Sequence, residues 1–370
     1  MLKADIPVID RTFQIQKADH PRPVSIKRPF IIPFFLPHIG CPQRCVFCNQ
    51  TAVTGVRQNV VSPEQFRYLV KRFLAYKGEQ RDRVQIAFYG GNFLGQKKNQ
   101  ITSLLDEASK FVFEGDVDSL RFSTRPDTIN DESLDILEDY PVATIEIGVQ
   151  SMDDDVLTLT KRGHTALDTQ KAVHLLKQRK YEIGLQVMVG LPGDDEIRSF
   201  STAEKVADLF PDFVRIYPTV VLKESLLAKW YLQGRYTPLS LGSSVTLVKK
   251  LFLFFAGKQI QVIRMGLQAS DQLENGRAIM AGPYHPAFGH LVYSEIFLDR
   301  VLSHLNHRRS GVDAISIKLH PRNTSHLRGL NNQNIKQLKK TFLLKAVQII
   351  SDFECPTDQL VIDGASIPVP

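Results

Sequence analysis

The sequence predicts an α/β protein, a partial (β/α)6 barrel followed by a smaller basic α/β C-terminal cap. Three observations carry that prediction. Apolar runs alternate with helix-patterned segments from Pro29 to Pro218, and the ends of those runs are polar or glycine-rich. Beyond Pro218 both the alternation and the charge balance change. With 370 residues, 43% apolar and 23% charged, the chain can bury a large core and is not of disordered or fibrous composition. Its most apolar window, about 245–256, is too short and too lysine-interrupted to span a bilayer, so no membrane partner is expected.

The elements follow in order. A 1–28 extension precedes the first apolar run, Phe30–Leu36, and further runs at 84–89, 119–123, 143–149, 183–189 and 213–217 read as buried strands. Between them Ser62-Pro63-Glu64 opens one helix, with Ser as N-cap and Pro in the first turn. Other helices are expected at 99–113, 131–138, 165–179 and 200–210. Repeated strand–helix units with continuous apolar strands point to a parallel sheet covered by its crossovers. A doubly wound sheet is the alternative. The barrel core is placed at 29–218, the cap at 219–350 and a tail at 351–370. In the cap, helices are expected at 223–233, 243–256, 286–305 and 334–345, with strands at 260–265 and 314–319.

Sites in such folds lie at the carboxyl ends of the strands, and the motifs obey that rule. Cys41, Cys45 and Cys48 follow the first strand, and Tyr89-Gly90-Gly91-Asn92 follows the second. Ser123-Thr124-Arg125-Pro126-Asp127 follows the third, Gly148-Val149-Gln150-Ser151 ends the fourth, and Gly190-Leu191-Pro192-Gly193 follows the fifth. Five such ends on one face argue for one shared site. Gly90 and Gly91 allow backbone to approach a ligand, or simply make a tight turn. Glu146 and Gln150 share a strand face. A buried Glu146 needs a partner, with an arginine such as Arg125 one choice and a polar floor beneath a ligand the other. Arg162 is either a solvated surface residue or a carboxylate clamp.

Three cysteines in eight residues, as C-x3-C-x2-C, form a site by themselves. Four cysteines and no signal peptide argue for a reducing, cytoplasmic setting and against a disulfide. A structural zinc ion held with His38 or Cys355 is the rival, although zinc sites more often pair two knuckles. An iron–sulfur cube normally takes four thiolates, so three invite an outside ligand.

With Phe47 just before the last cysteine, this loop resembles the signature of the radical S-adenosylmethionine (SAM) superfamily. The resemblance implies a [4Fe–4S] cluster on Cys41, Cys45 and Cys48, with SAM on the open iron. It also implies an electron donor for the cluster and reductive cleavage to a deoxyadenosyl radical. Glu146-Ile-Gly-Val-Gln-Ser151 and Lys161-Arg162-Gly-His164 resemble the branch shared by the oxygen-independent coproporphyrinogen oxidases and the Elongator catalytic subunit. Ser123-Thr-Arg-Pro-Asp127 and Ile216-Tyr-Pro-Thr219 lean to the Elongator side, as does the run from Leu222 through Trp230 to Tyr236.

By that likeness, over about 29–240, Gly90 and Gly91 would meet the SAM amino group and Arg162 its carboxylate. Ser123 and Gln150 would meet its adenosyl or ribose portion, Glu146 would form a polar floor, and the segment from Val189 to Leu191 would meet the adenine. Asn92 departs from the family's Glu or Thr, so its assignment rests mainly on backbone. Elongator-type members modify transfer RNA uridine with an acetyltransferase domain. No room for one is expected after Ile350, which leaves a separate acetyltransferase as a partner.

Charge bears on the substrate. Between Pro218 and Ile350 there are 18 Lys+Arg and 6 Asp+Glu, a net of +12, against +7 for the whole chain, so the remainder sums to −5. A basic C-terminal third suits a polyanion, and a transfer RNA base is the expected substrate. Two alternatives stand beside it: a porphyrin-like or other small anionic substrate, and a non-catalytic iron–sulfur or zinc RNA-binding module.

Overall fold

The computed structural model of the chain describes residues 29–55, 62–77, 83–268, 270–276, 278–307 and 313–370; the expected 1–28 extension lies outside them. Six strands are where the apolar runs place them: β1 (Phe30–Leu36), β2 (Val84–Gly90), β3 (Ser119–Thr124), β4 (Val142–Gln150), β5 (Glu182–Val189) and β6 (Phe213–Pro218). They are followed by β7 (Val221–Leu222), β8 (Gln261–Met265), β9 (Ile279–Ala281), β10 (Ala314–Leu319), β11 (Ala346–Ser351), β12 (Gln359–Ile362) and β13 (Ala365–Pro368).

The main sheet has the order β1-β2-β3-β4-β5-β6-β8, every neighbouring pair parallel. A doubly wound sheet reverses its order at a switch point. This one never reverses, and β1 and β8 do not pair, so it is an open half-barrel. The seventh strand corrects the six-strand expectation: β8 was expected in the cap, yet it extends the main sheet beside β6.

A period of two sorts the strands' residues. Phe88, Phe122, Ile145, Ile147, Leu185, Val187, Val214 and Ile216 are buried in the core that the helices cover. The alternate positions form a polar concave face. At its foot Gln85 Nε2 donates to Ser119 Oγ at 2.9 Å and Thr144 Oγ1 at 3.1 Å. Local signals start the helices as read: Ser62 and Gln65 cap Pro63–Lys77 reciprocally, and Thr165 and Asp168 cap Ala166–Gln178.

Helix Phe288–Asn306 joins two cores. Phe288, Val292 and Ile296 belong to the half-barrel's core, whereas Phe297, Val301 and Leu305 belong to that of a second, four-stranded sheet of order β11-β10-β12-β13. Residues 351–370, expected as a tail, instead supply β12 and β13 to that sheet. Leu360 and Ile362 are fully buried there, so apolar burial holds the segment in place.

Candidate active site

The cysteine loop leaves β1 and ends in the short helix Gln50–Thr54. Its backbone is clamped from two sides. Val46 N–H donates to Thr160 O at 2.9 Å, and Val46 O accepts from Leu227 N–H at 2.8 Å. Gln43 Nε2 reaches Lys161 O at 3.1 Å. There Gly163 lies at φ +72°, and a Cβ on it would fall 1.7 Å from that Nε2. Gln50 fastens the other flank, accepting from His38 N–H and donating to Gly90 O.

Asn92 is the rivet beneath the loop. Its Nδ2 donates to Gly40 O at 3.0 Å. Its Oδ1 accepts from Thr124 Oγ1 at 2.7 Å, Thr128 Oγ1 at 2.9 Å and Arg125 N at 3.0 Å. One fully buried amide therefore ties the cysteine loop to the end of β3.

Arg162 turns inward. Its Nη1 donates to Cys45 Sγ at 3.3 Å and its Nη2 to Gly148 O at 2.6 Å, while its Nε is buried without a partner. Arg125 pairs with Asp127, Nη2 to Oδ2 at 2.8 Å, and leaves its own Nη1 buried and unpartnered. Burial raises the Cys41 thiol, with Arg162 opposing. Burial, then Cys45 and Cys41, pushes Cys48 up to about 12. Burial and then Arg162 hold His164 down at about 3, so it is neutral, with Nε2 3.2 Å from Val149 O.

Below lies an ion cage. Glu146, 4% exposed, accepts from Tyr89 Oη at 2.9 Å and Arg215 Nη2 at 2.9 Å. Arg215 Nε lies 2.8 Å from its second oxygen, and Arg121 Nε 3.4 Å from the first. Arg121 also stacks on Phe213 and Arg215 on Tyr89, each with its guanidinium carbon 5.3 Å from the ring centre. The partner of Glu146 is thus not Arg125, which sits past the strand end with Asp127, but two arginines on the concave face.

These parts surround one cavity of about 220 Å³ at the carboxyl ends of the strands. Cys41, Cys45, Cys48, Phe47, Gly90, Gly91, Ser123, Glu146, Gln150 and Arg162 all line it.

The zinc alternative finds no such assembly. His38 Nε2 accepts from Gln50 N–H at 3.1 Å, and Cys355 is buried in the second sheet's unit with Sγ 3.9 Å from Gln359 O. Among the described residues no three His, Cys, Asp or Glu are grouped to hold a single metal ion. A cubane distributes its ligands over separate iron atoms, and three thiols on one loop beside two partly unpaired guanidiniums fit that donor set.

The profile of the radical SAM superfamily matches residues 36–201, and that of the radical SAM C-terminal domain matches 211–297. The chain belongs to the radical SAM superfamily. Among curated proteins, a tRNA uridine(34) acetyltransferase of Dehalococcoides mccartyi is 27% identical over 242 residues, covering 57% of this chain and 53% of that protein. Elongator complex protein 3 of Schizosaccharomyces pombe is 27% identical over 221 residues, covering 54% and 40%. The chain thus matches about half the length of these relatives. The archaeal Methanocaldococcus infernus Elp3 has the same fold at TM-score 0.58 and 19% identity, over 72% of this chain and 62% of that one.

Within this radical SAM fold, three residues singled out in the sequence lie off the cavity. The side chain and N–H of Asn92 are consumed in the loop. Val189 points into the helix-covered core, and its carbonyl accepts from Thr219 N and Oγ1. Leu191 is buried beside a separate cleft under Trp230 and Tyr236. Conversely, Gln50, Gln186, Met188 and Tyr217 line the cavity and were missed. Parity was the available signal for the last three: Gln186 and Met188 alternate along β5, as Arg215 and Tyr217 do along β6.

Proposed function

We propose that this chain is a radical SAM enzyme acting on RNA, with a transfer RNA base as substrate. The observation that carries the cofactor assignment is the convergence of three thiols, a glycine pair and Arg162 on one cavity. Cys41, Cys45 and Cys48 would hold a [4Fe–4S] cluster, and the cavity they line would take SAM. When bound, the cluster supplies the electron that cleaves SAM to a deoxyadenosyl radical, drawing on an external electron donor.

The chain's own residues position and shield. Arg162, which lines the cavity, would meet the carboxylate, and the backbone of Gly90 and Gly91 would receive the amino group. Ser123 and Gln150, the latter held by Gln186 Nε2 at 3.1 Å, take the ribose. Met188, in place of Val189 and Leu191, lies against the adenine. The Glu146 cage fixes Tyr89 and Arg215, so the concave wall beneath the cavity is held by a polar network. RNA as substrate rests on the names of the relatives and on the basic C-terminal third. Free thiols at such a site suit the reducing cytoplasm; no helix among the described residues is long and apolar enough to cross a membrane.

The test is deoxyadenosine formation by anaerobically reconstituted, reduced protein given SAM, with and without bulk transfer RNA. Product that rises with RNA is the expected result, and Cys45→Ala should abolish it along with bound iron. Product indifferent to RNA would transfer the chemistry to a small anionic substrate. No product from fully loaded protein would leave a non-catalytic module.

A further inference from the structure

The second sheet carries a surface that the radical chemistry does not use. β10 and β11 run parallel and adjacent, and β12 lies antiparallel on the other side of β10. Two helices, Thr324–Arg328 and Gln333–Phe342, connect β10 to β11 and cover one face, burying Leu327 and Leu338 against Ile315, Ile317 and Leu319. The turn between them is Gly329-Leu330-Asn331-Asn332, with Gly329, Asn331 and Asn332 at φ 67°, 50° and 59°. It is pinned from beneath: Asn334, 5% exposed, donates to Ser294 O at 2.8 Å and His326 O at 3.3 Å. The turn is thereby fixed to the helix that enters the half-barrel's core.

Charge along this stretch is one-sided. From Leu319 to Phe342 there are five cations, Arg322, Arg328, Lys336, Lys339 and Lys340, and no carboxylate. All five are exposed, and none is in an ion pair among the described residues. The two lysines just outside the stretch are neutralised, Lys318 by Asp352 at 2.7 Å and Lys345 by Asp313 at 2.6 Å. Lysines are thus paired outside the turn and helix and left open on them. That contrast distinguishes a polyanion surface from ordinary solvated charge.

We propose that this face docks the sugar–phosphate backbone of the RNA, with the Gly329–Asn332 turn against the strand and the lysines of the following helix on successive phosphates. This inference rests on the reading of RNA as substrate and adds where the RNA is held. KH modules clamp backbone nucleotides on a glycine-bearing turn, G-x-x-G. The β-α-turn-α-β layout here is a fold-level likeness of that arrangement. Asn332 stands at the second glycine position, and an asparagine accepts the left-handed backbone there. Phosphate contacts of this kind position the nucleic acid without reading its sequence, which suits a surface separate from the cavity.

Fluorescence anisotropy of the full chain with a labelled transfer RNA transcript, across a salt series, tests the dock. Lys336→Glu with Lys339→Glu and Lys340→Glu should weaken binding at least tenfold near 0.1 M salt and flatten the log–log salt slope by about 2, for three lost contacts at roughly 0.7 each. Leu330→Asp with Asn331→Asp should weaken binding in the same direction, because both side chains face solvent and Asp tolerates the left-handed turn. Iron content and melting midpoint report that the variants are folded. Unchanged affinity and slope in both variants, with tight wild-type binding, would overturn the dock and leave the RNA reading standing. A wild-type protein that cleaves SAM but binds no RNA would remove the RNA reading itself.

Discussion

Replacing Glu146 by glutamine probes the ion cage beneath the cavity. The carboxylate is 4% exposed and faces Arg121, 3% exposed, and Arg215. Burial alone would lower the pKa of Arg215; Glu146, together with Tyr217 and Tyr89, outweighs it and holds the guanidinium well above its ordinary value. Removing one member of a buried ion pair costs about 3–5 kcal/mol, because the remaining charge is left uncompensated. Glutamine keeps an acceptor for Tyr89 Oη, so the loss for Glu146→Gln should lie near the lower end, about 3 kcal/mol. The assay is a denaturant titration of the apoprotein, read by near-UV circular dichroism. Adding Arg121→Gln removes the surplus cation, and the double variant should recover about 1 kcal/mol relative to Glu146→Gln alone. A loss under about 1 kcal/mol, or strict additivity of the two substitutions, would refute the cage. A tenfold fall in SAM affinity without loss of stability would instead make Glu146 a direct ligand contact.

Asn92→Ala should destabilise the protein by about 2–4 kcal/mol, since it orphans Gly40 O and several buried donors; iron retention should fall with it, and equal retention would separate the rivet from the cysteine loop. Gly163→Ala forces a Cβ into a left-handed position beside Gln43, so a loss of about 1 kcal/mol or more is expected in a thermal melt. Adding Gln43→Ala should relieve only its steric part. His326 is held down at about 4, first by burial and then by His290, while an unfolded histidine titrates near 6.5. Its contribution is full above pH 6.5 and is lost as pH falls toward 4, on the order of 1–3 kcal/mol. Melting midpoints of His326→Gln should therefore vary less with pH over that window than those of the parent chain.

The strands of the half-barrel were legible because their signal is local. Continuous apolar runs with polar ends placed β1 at the observed bounds, and β2 and β3 one residue short. Strand order was not legible: β8 looks like any short apolar run, and only pairing with β6 makes it the seventh strand. Nor was the fate of 359–368, whose alternate apolar residues acquire a partner only once β10 is in place.

Within the site, the sequence-predicted residues that the structure brings to the cavity are those whose chemistry is local. Three thiols on one loop, two glycines after β2 and an arginine in a turn keep their meaning wherever the chain goes. Pairings were misread where sequence distance stood in for parity. Arg125 is nearer the strand-end motif, but Arg121 and Arg215 share the concave face with Glu146. Asn92 sits beside the glycines, yet all its polar groups turn beneath the loop, because a buried amide must satisfy both donor and acceptor.

Local periodicity and the spacing of reactive side chains, then, determined the fold class, the cysteine site and the face on which it lies. Tertiary structure decided the seventh strand, the partners of Glu146, the use of Asn92 and the cavity's far wall. Each of these depends on contacts between residues distant in sequence, and burial sets their energies only after the sheet has formed.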